Sequence, residues 1–388
     1  MKKLVVLLGL LGLVSLLCSV SFAANYVVTN DDNPSGNTAT IFKVGAGGNL
    51  TVFKTLSTGG YGLGGGYFSW QGVSVTSTAK CVWVANTGSD TITSFAAPSY
   101  NKTGDAGTPG MFTTYGIGGS ITAHPSGKLV VSGNSGTLNI STWLVGANCT
   151  LTHLADYTPS AGADYFSPLG YTPKGTYLVL PVPDYEAAEL YKQKSNGSLT
   201  DIGNVNFYNS VSLCQSEGCY PTGLDFTNDE KLVVLGNATL GSLTGDSYVL
   251  TANITSGGLT NPQDWTVTNS AGAINDNSPH FTKAARGGSG ALIIGESGYD
   301  GYGPSGLACA NFTESPLNIT VANAVAVPNT YDYQGSVVTF GSQGFAGEPP
   351  NQIQAFTIGS GCSVTLGPVT TDNNGYFVMS IAGFPANQ

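Results

Sequence analysis

A short run of β-forming apolar residues recurs seven times along this chain: YVVTND from Tyr26, CVWVANT from Cys81, KLVVSGN from Lys128, TYLVLPV from Thr176, KLVVLGN from Lys231, ALIIGES from Ala291 and SVVTFGS from Ser336. Their starts lie 45 to 60 residues apart. Helical periodicity is nearly absent between them, and β-rich stretches alternate with turns rich in Gly and Asn. A strand-built repeat of about fifty residues has the length of one four-stranded propeller blade. One such sheet cannot bury both of its faces alone, so the copies must stack, and seven of them close a ring.

With the recurring run taken as strand B, its flanks supply the rest of each blade. QGVSVTST, GSITAHPSG and PTGLDFTND read as an inner strand A, and ATIFKV, TITSFAA and LNISTWLV as strand C. NLTVFKTL, CTLTHLADY, SLTDIGNV and CSVTLGPV read as an outer strand D. The repeat begins at a strand B, and the last stretch, GYFVMSIAG from Gly375, is a strand A without a blade. The expectation is an all-β, seven-bladed β-propeller of four-stranded antiparallel blades, occupying residues 24–388 as a single domain. Its C-terminal strand enters the N-terminal blade, which removes an open sheet edge.

Residues 1–23 pair Lys2 and Lys3 with an apolar stretch and small residues at Ser21 and Ala23, the pattern of a secretory signal peptide. The apolar stretch falls short of a membrane span of roughly twenty residues, so the reading is a secreted or periplasmic protein without membrane insertion. Six cysteines remain after cleavage, an even number that suits disulfides in an exported chain but allows fifteen pairings. Only Cys214 with Cys219, five apart in LCQSEGCYP, is a local pair; the others are left open between bridges and buried small residues. No paired Cys-x-x-Cys spacing of a zinc site is present. DDNPSG from Asp31 imitates the start of a calcium loop, but Phe42 stands where the closing Glu would be. Phosphate-cradling and nucleophile-elbow motifs are missing too, and no cofactor is expected.

Without Lys2 and Lys3 the chain has 11 basic residues against 23 acidic ones, which makes nucleic acid a poor partner. Antiparallel alternation puts the A-to-B and C-to-D turns on one face of the disc. Lys80, Lys128, Lys174, Lys231, Lys283 and Arg286 fall at A-to-B turns, so that face collects the positive charge. The other face receives long loops carrying Asp31, Asp32, Glu296 and Glu348, together with Tyr67, Trp70, Asp164, Tyr165, Tyr299, Asp300 and Tyr302. An acidic, aromatic surface suits a small neutral ring compound such as a lactone or saccharide, and the last seven residues are the substrate-binding candidates. A phosphorylated ligand would call for arginine or lysine there.

YVVTN at Tyr26–Asn30 and VWVANTGSDTITSF at Val82–Phe95 resemble the Tyr-Val-Thr-Asn repeats of seven-bladed lactonase-type propellers, and HPSGKLVV at His124–Val131 resembles their A-to-B hairpin. The resemblance covers essentially the whole mature chain as a repeat pattern, but this fold carries many unrelated functions. The blades supply an internal control. From the start of strand A to the end of strand B, Gly72 matches Asn86, Ser120 matches Asn134 and Gly223 matches Asn237. In the sixth blade the same places fall on His280 and Glu296, the one blade with two titratable groups there.

Lactonase-type propellers have a similar pair, Pro-Arg-His-Phe opening strand A and Asn-Glu closing strand B, which implies His280 and Glu296 as catalytic base and partner. This chain instead reads Ser278-Pro279-His280-Phe281 and Gly295-Glu296, without the arginine. Such a pair could activate water against a lactone carbonyl, with Tyr299, Tyr302 or loop amides holding the oxyanion. The bland alternative makes His280 a strand cap and Glu296 the start of a turn; His124 and His153 are read as structural. The sequence therefore supports a lactonase-like carboxylic ester hydrolase acting on an uncharged lactone or sugar-derived cyclic ester. A non-catalytic extracellular propeller binding carbohydrate or protein is the alternative, and a lactonase dependent on a divalent cation such as calcium is the third reading.

Overall fold

The computed structural model describes residues 25–385, apart from 66–70, 112–118, 163–167, 239–245, 269–274, 282–288, 298–304, 329–334 and 379. The expected leader at 1–23 lies outside the described residues. Seven four-stranded antiparallel sheets follow one another along the chain, and the end of strand B in blade 5 also pairs briefly with the start of the inner strand of blade 6. Strand B of each blade is Asn25–Asn30, Cys81–Asn86, Leu129–Asn134, Tyr177–Val182, Leu232–Ala238, Ser289–Ser297 and Gln343–Glu348. The inner strands A of blades 2 to 7 are Val73–Val75, Ser120–Ala123, Gly170–Tyr171, Tyr220–Phe226, Asn275–Phe281 and Val337–Phe340.

Strand B reads as an unbroken apolar run because it is covered on both faces. In blade 2, Cys81, Trp83 and Ala85 pack with Ile121, Val130 and Trp143 of blade 3. Val82 and Val84, which alternate with them, pack with Val28 and Ile41 of blade 1. The same division recurs around the ring, with one apolar cluster in each space between neighbouring blades. Burial is thus spread over seven equivalent layers instead of one central core.

One strand departs from the sequence reading. SVVTFGS from Ser336 is not a strand B: its apolar part, Val337–Phe340, is the inner strand of blade 7, and Gln343–Glu348 is strand B. Both strands lie between neighbours, so apolar character alone does not tell them apart.

The ring closes as expected. Ser380–Pro385 pairs with Asn25–Asn30 in unbroken register from Asn25 opposite Pro385 to Asn30 opposite Ser380. At the loop end of this seam, Thr29 Oγ1 lies 2.5 Å from Asp31 Oδ1 and 2.9 Å from Asp372 Oδ2. Thr38 and Thr40 donate to the other Asp31 oxygen at 2.6 and 3.0 Å. Both carboxyls are fully buried. The Thr29 hydroxyl has one hydrogen and cannot donate to both, so a proton on one carboxyl completes the set. Burial, and next to it the charge of Asp372, push Asp31 up to about 7.

Three disulfides form. Cys214–Cys219 staples the short helix Ser212–Glu217 between blades 4 and 5, as expected. Cys81–Cys149 joins blade 2 to blade 3, and Cys309–Cys362 joins blade 6 to blade 7, which resolves the four cysteines the sequence left open. Glu186 lies beside the first pair, but its carboxylate accepts the Cys219 amide at 2.9 Å and the sulfurs are spent on each other, so these groups make no metal centre.

Candidate functional site

The loop face is built differently from its reading as an open acidic surface. Tyr67, Trp70, Asp164, Tyr165, Tyr299, Asp300 and Tyr302 all lie outside the described residues. Four of the carboxylates assigned to that face, Asp31, Asp32, Glu296 and Glu348, are at most 2 % exposed. Asp184 and Tyr185, in the turn after strand B of blade 4, are exposed. Asp32 accepts the amides of Leu63 at 2.7 Å and Gly65 at 3.3 Å and so draws the glycine-rich loop down onto blade 1. A Cβ on Gly62 would sit 2.3 Å from the Asp32 carbonyl carbon, so the glycine is required by close packing. Burial pushes Asp32 up to about 6 against the lowering effect of those amides.

The buried side chains at the end of strand B share a structural task. Asn86 donates to the Thr91 and Thr93 hydroxyls of strand C at 3.0 and 2.9 Å, and Asn134 to Asn139 and Ser141 at 2.8 and 2.7 Å. Asp31 meets Thr38 and Thr40 in the same way. Glu296 occupies this slot in blade 6, fully buried, but strand C there presents Gly306 and Ala308 where blades 1 and 2 have threonines and blade 3 has Asn139 and Ser141.

His280 is not its immediate neighbour. The inner strand of blade 6 starts at Asn275, five residues before the histidine, so His280 is the penultimate residue of that strand. The register sets His280 opposite Ile293 and Glu296 opposite Asp276. Three rungs separate them, about 10 Å at the usual rise of a strand. The expected direct pair is therefore replaced by two other contacts.

His280 Nε2 lies 3.0 Å from Thr339 Oγ1 on the inner strand of blade 7. Its Nδ1 lies 3.3 Å from Asp225 Oδ2 on the inner strand of blade 5. Asp225 is itself fixed by amides, Phe226 donating to Oδ1 at 2.8 Å and Phe281 to Oδ2 at 2.7 Å. With 24 % of the imidazole and 12 % of the carboxylate exposed, the group is partly wet.

The penultimate inner-strand residues of blades 2 to 7 are Ser74, Thr122, Gly170, Asp225, His280 and Thr339. Ser74 Oγ accepts the Ala123 amide of the next blade at 3.0 Å, the linking task that Asp225 performs toward Phe281. A hydroxyl suffices for that task. Aspartate in blade 5 brings a negative charge the link does not need, facing an imidazole that no sibling blade has. A carboxylate favours the proton on Nδ1, which leaves Nε2 as an acceptor for the Thr339 hydroxyl. Sequence reasoning missed Asp225 and Thr339; the signal available was their shared place just before an A-to-B turn. His124 and His153 hold structural positions, His124 against Ser126 and the Gly175 carbonyl and His153 against Asp156.

No family model and no curated protein sequence matches the chain. Solved structures do share its fold. A candidate 6-phosphogluconolactonase from Bacteroides uniformis superposes with a TM-score of 0.66 at 12 % identity, covering 94 % of this chain and 100 % of that one. A second, from Bacteroides fragilis, gives 0.64 at 14 % identity over 94 % and 99 %. The periplasmic gluconolactonase PpgL of Pseudomonas aeruginosa gives 0.64 at 11 % identity, with the same coverage. At such identities the likeness establishes the propeller fold, and chemistry has to be argued from the site.

Proposed function

We propose that this chain is an exported propeller that hydrolyses an uncharged lactone or sugar-derived cyclic ester in its central channel, with His280 as general base. The observation that carries the reading is the Asp225–His280–Thr339 line: a carboxylate fixed by amides, an imidazole it orients, and an acceptor nitrogen that meets a hydroxyl. The gluconolactonase fold neighbour supports the reaction class, and the leader-like N-terminus with three disulfides supports export to the periplasm or medium. Asp225 next to the imidazole disfavours an anionic substrate. Glu296 stands three rungs away on the neighbouring strand. Tyr67, Trp70, Asp164, Tyr165, Tyr299, Asp300 and Tyr302 are proposed to bind the ring compound, the aromatic ones by stacking on it.

Proton release from a panel of neutral and anionic lactones tests this. His280→Ala is expected to lower kcat/KM by at least a hundredfold, and Asp225→Asn by about tenfold or more with a shifted pH profile. A wild-type protein that opens no lactone ends the hydrolytic reading in favour of a binding propeller. That second reading draws on Asp225 also serving as a link between inner strands.

A further inference from the structure

The contact between His280 and Thr339 raises the question of which oxygen attacks. An imidazole acting only on water needs no protein hydroxyl on its acceptor nitrogen, yet Thr339 Oγ1 occupies that place at 3.0 Å. Val338 and Phe340, on either side, pack into the apolar cluster between blades 7 and 1, so strand alternation turns Thr339 the other way, toward blade 6. Its β-branched side chain has few rotamers and its strand is paired along its length, which holds the hydroxyl in place.

We propose, on the basis of the hydrolytic reading above, that Thr339 is the nucleophile and that the reaction passes through an ester of its hydroxyl. In the first half, Nε2 of His280 takes the Thr339 hydroxyl proton as Oγ1 bonds to the lactone carbonyl carbon. The ring carbon–oxygen bond breaks, and the departing alkoxide takes that proton from Nε2. The opened substrate is then a hydroxyacyl ester on Thr339. In the second half, His280 removes a proton from water, hydroxide adds to the ester carbonyl, and Thr339 leaves as the alcohol with the proton returned by the imidazole. The sum is lactone plus water giving hydroxy acid. Asp225 touches no substrate atom in either half; it is a positioning residue that keeps the Nδ1 proton in place and favours the transient imidazolium.

Two variants and one mass measurement test the assignment, with δ-valerolactone as probe and 4-nitrophenyl acetate as a second acyl donor. Thr339→Ser keeps the hydroxyl and is expected to retain turnover within about tenfold, whereas Thr339→Val keeps the shape and is expected to lose at least a hundredfold. Acid-quenched wild type should carry one acyl group on the peptide containing Thr339. Turnover in Thr339→Val above a tenth of wild type, or quenched wild type without the acyl group, overturns Thr339 as nucleophile while leaving His280 as a base for water. If wild type opens neither probe nor any lactone of the panel, both this assignment and the hydrolytic reading fall.

Discussion

The free energy of unfolding is expected to be about 4 kcal/mol greater at pH 5 than at pH 8, the reverse of an ordinary approach to neutrality. Buried Asp31 holds its proton up to a pH of about 7 and buried Asp32 up to about 6. In the unfolded chain both release it near pH 4. Between these limits the folded state binds more protons than the unfolded one, so stability is fully present below pH 4 and drains away as pH rises. At about 1.4 kcal/mol per pH unit and proton, Asp31 accounts for about 2.7 kcal/mol from pH 5 to 7 and Asp32 for about 1.4 kcal/mol from pH 5 to 6. On the acid side, burial raises Glu230, but bonds from the Thr172 and Thr176 hydroxyls and the Lys174 amide outweigh it, so its contribution fades below about pH 4. Chemical denaturation at the two pH values measures the difference. Asp31→Asn should remove most of the slope between pH 5 and 7 while leaving that of Asp32, and a wild type equally stable at pH 5 and pH 8 contradicts the shared proton at the seam.

Removal of the Cys81–Cys149 bridge by a double alanine substitution is expected to cost about 4 kcal/mol, against about 2 kcal/mol for Cys214–Cys219. The physical difference is the length of chain each bridge closes in the unfolded state. The two separations are 68 and 5 residues. The first also anchors a packing contact: Trp83, fully buried between blades 2 and 3, donates its indole N–H to the Cys149 carbonyl at 2.8 Å. Denaturant midpoints of the two double variants against wild type provide the measurement. Equal losses would show that constraint of the unfolded chain is not what these bridges contribute.

The sequence showed the ring more clearly than the site. Strand B stands out because it is buried on both faces, so Val82 to Ala85 or Val233 to Leu235 must be apolar whatever the rest of the blade does. Inner strands are harder to see, since Gly170–Tyr171 pairs over only two residues and Val337–Phe340 is as apolar as a strand B. His280 was placed at a strand start because the polar stretch Asn275–Ser278 reads as loop, whereas it forms the first half of the strand by pairing with Gly295, Glu296 and Ser297. That offset moved the histidine toward the opposite end of the channel from Glu296. Asp225 and Thr339 come from blades 5 and 7, and their meeting with His280 depends on blade-to-blade geometry that local patterns do not encode. Glu296 and Glu348 read as loop residues but lie at the ends of strands B of blades 6 and 7, and composition could not tell that they, Asp31 and Asp32 are buried.

The seam in blade 1 also bears on how the chain could be rearranged. Asn25 and Pro385 face each other across a single rung, so a few residues of linker would join them without bending either strand. A circularly permuted gene opened at the hairpin Lys194–Gly197, exposed from Lys194 to Asn196, would keep every strand and make blade 1 from continuous polypeptide. In such a molecule the weak point under mechanical load moves from the carboxyl-bearing first blade to the middle of blade 4.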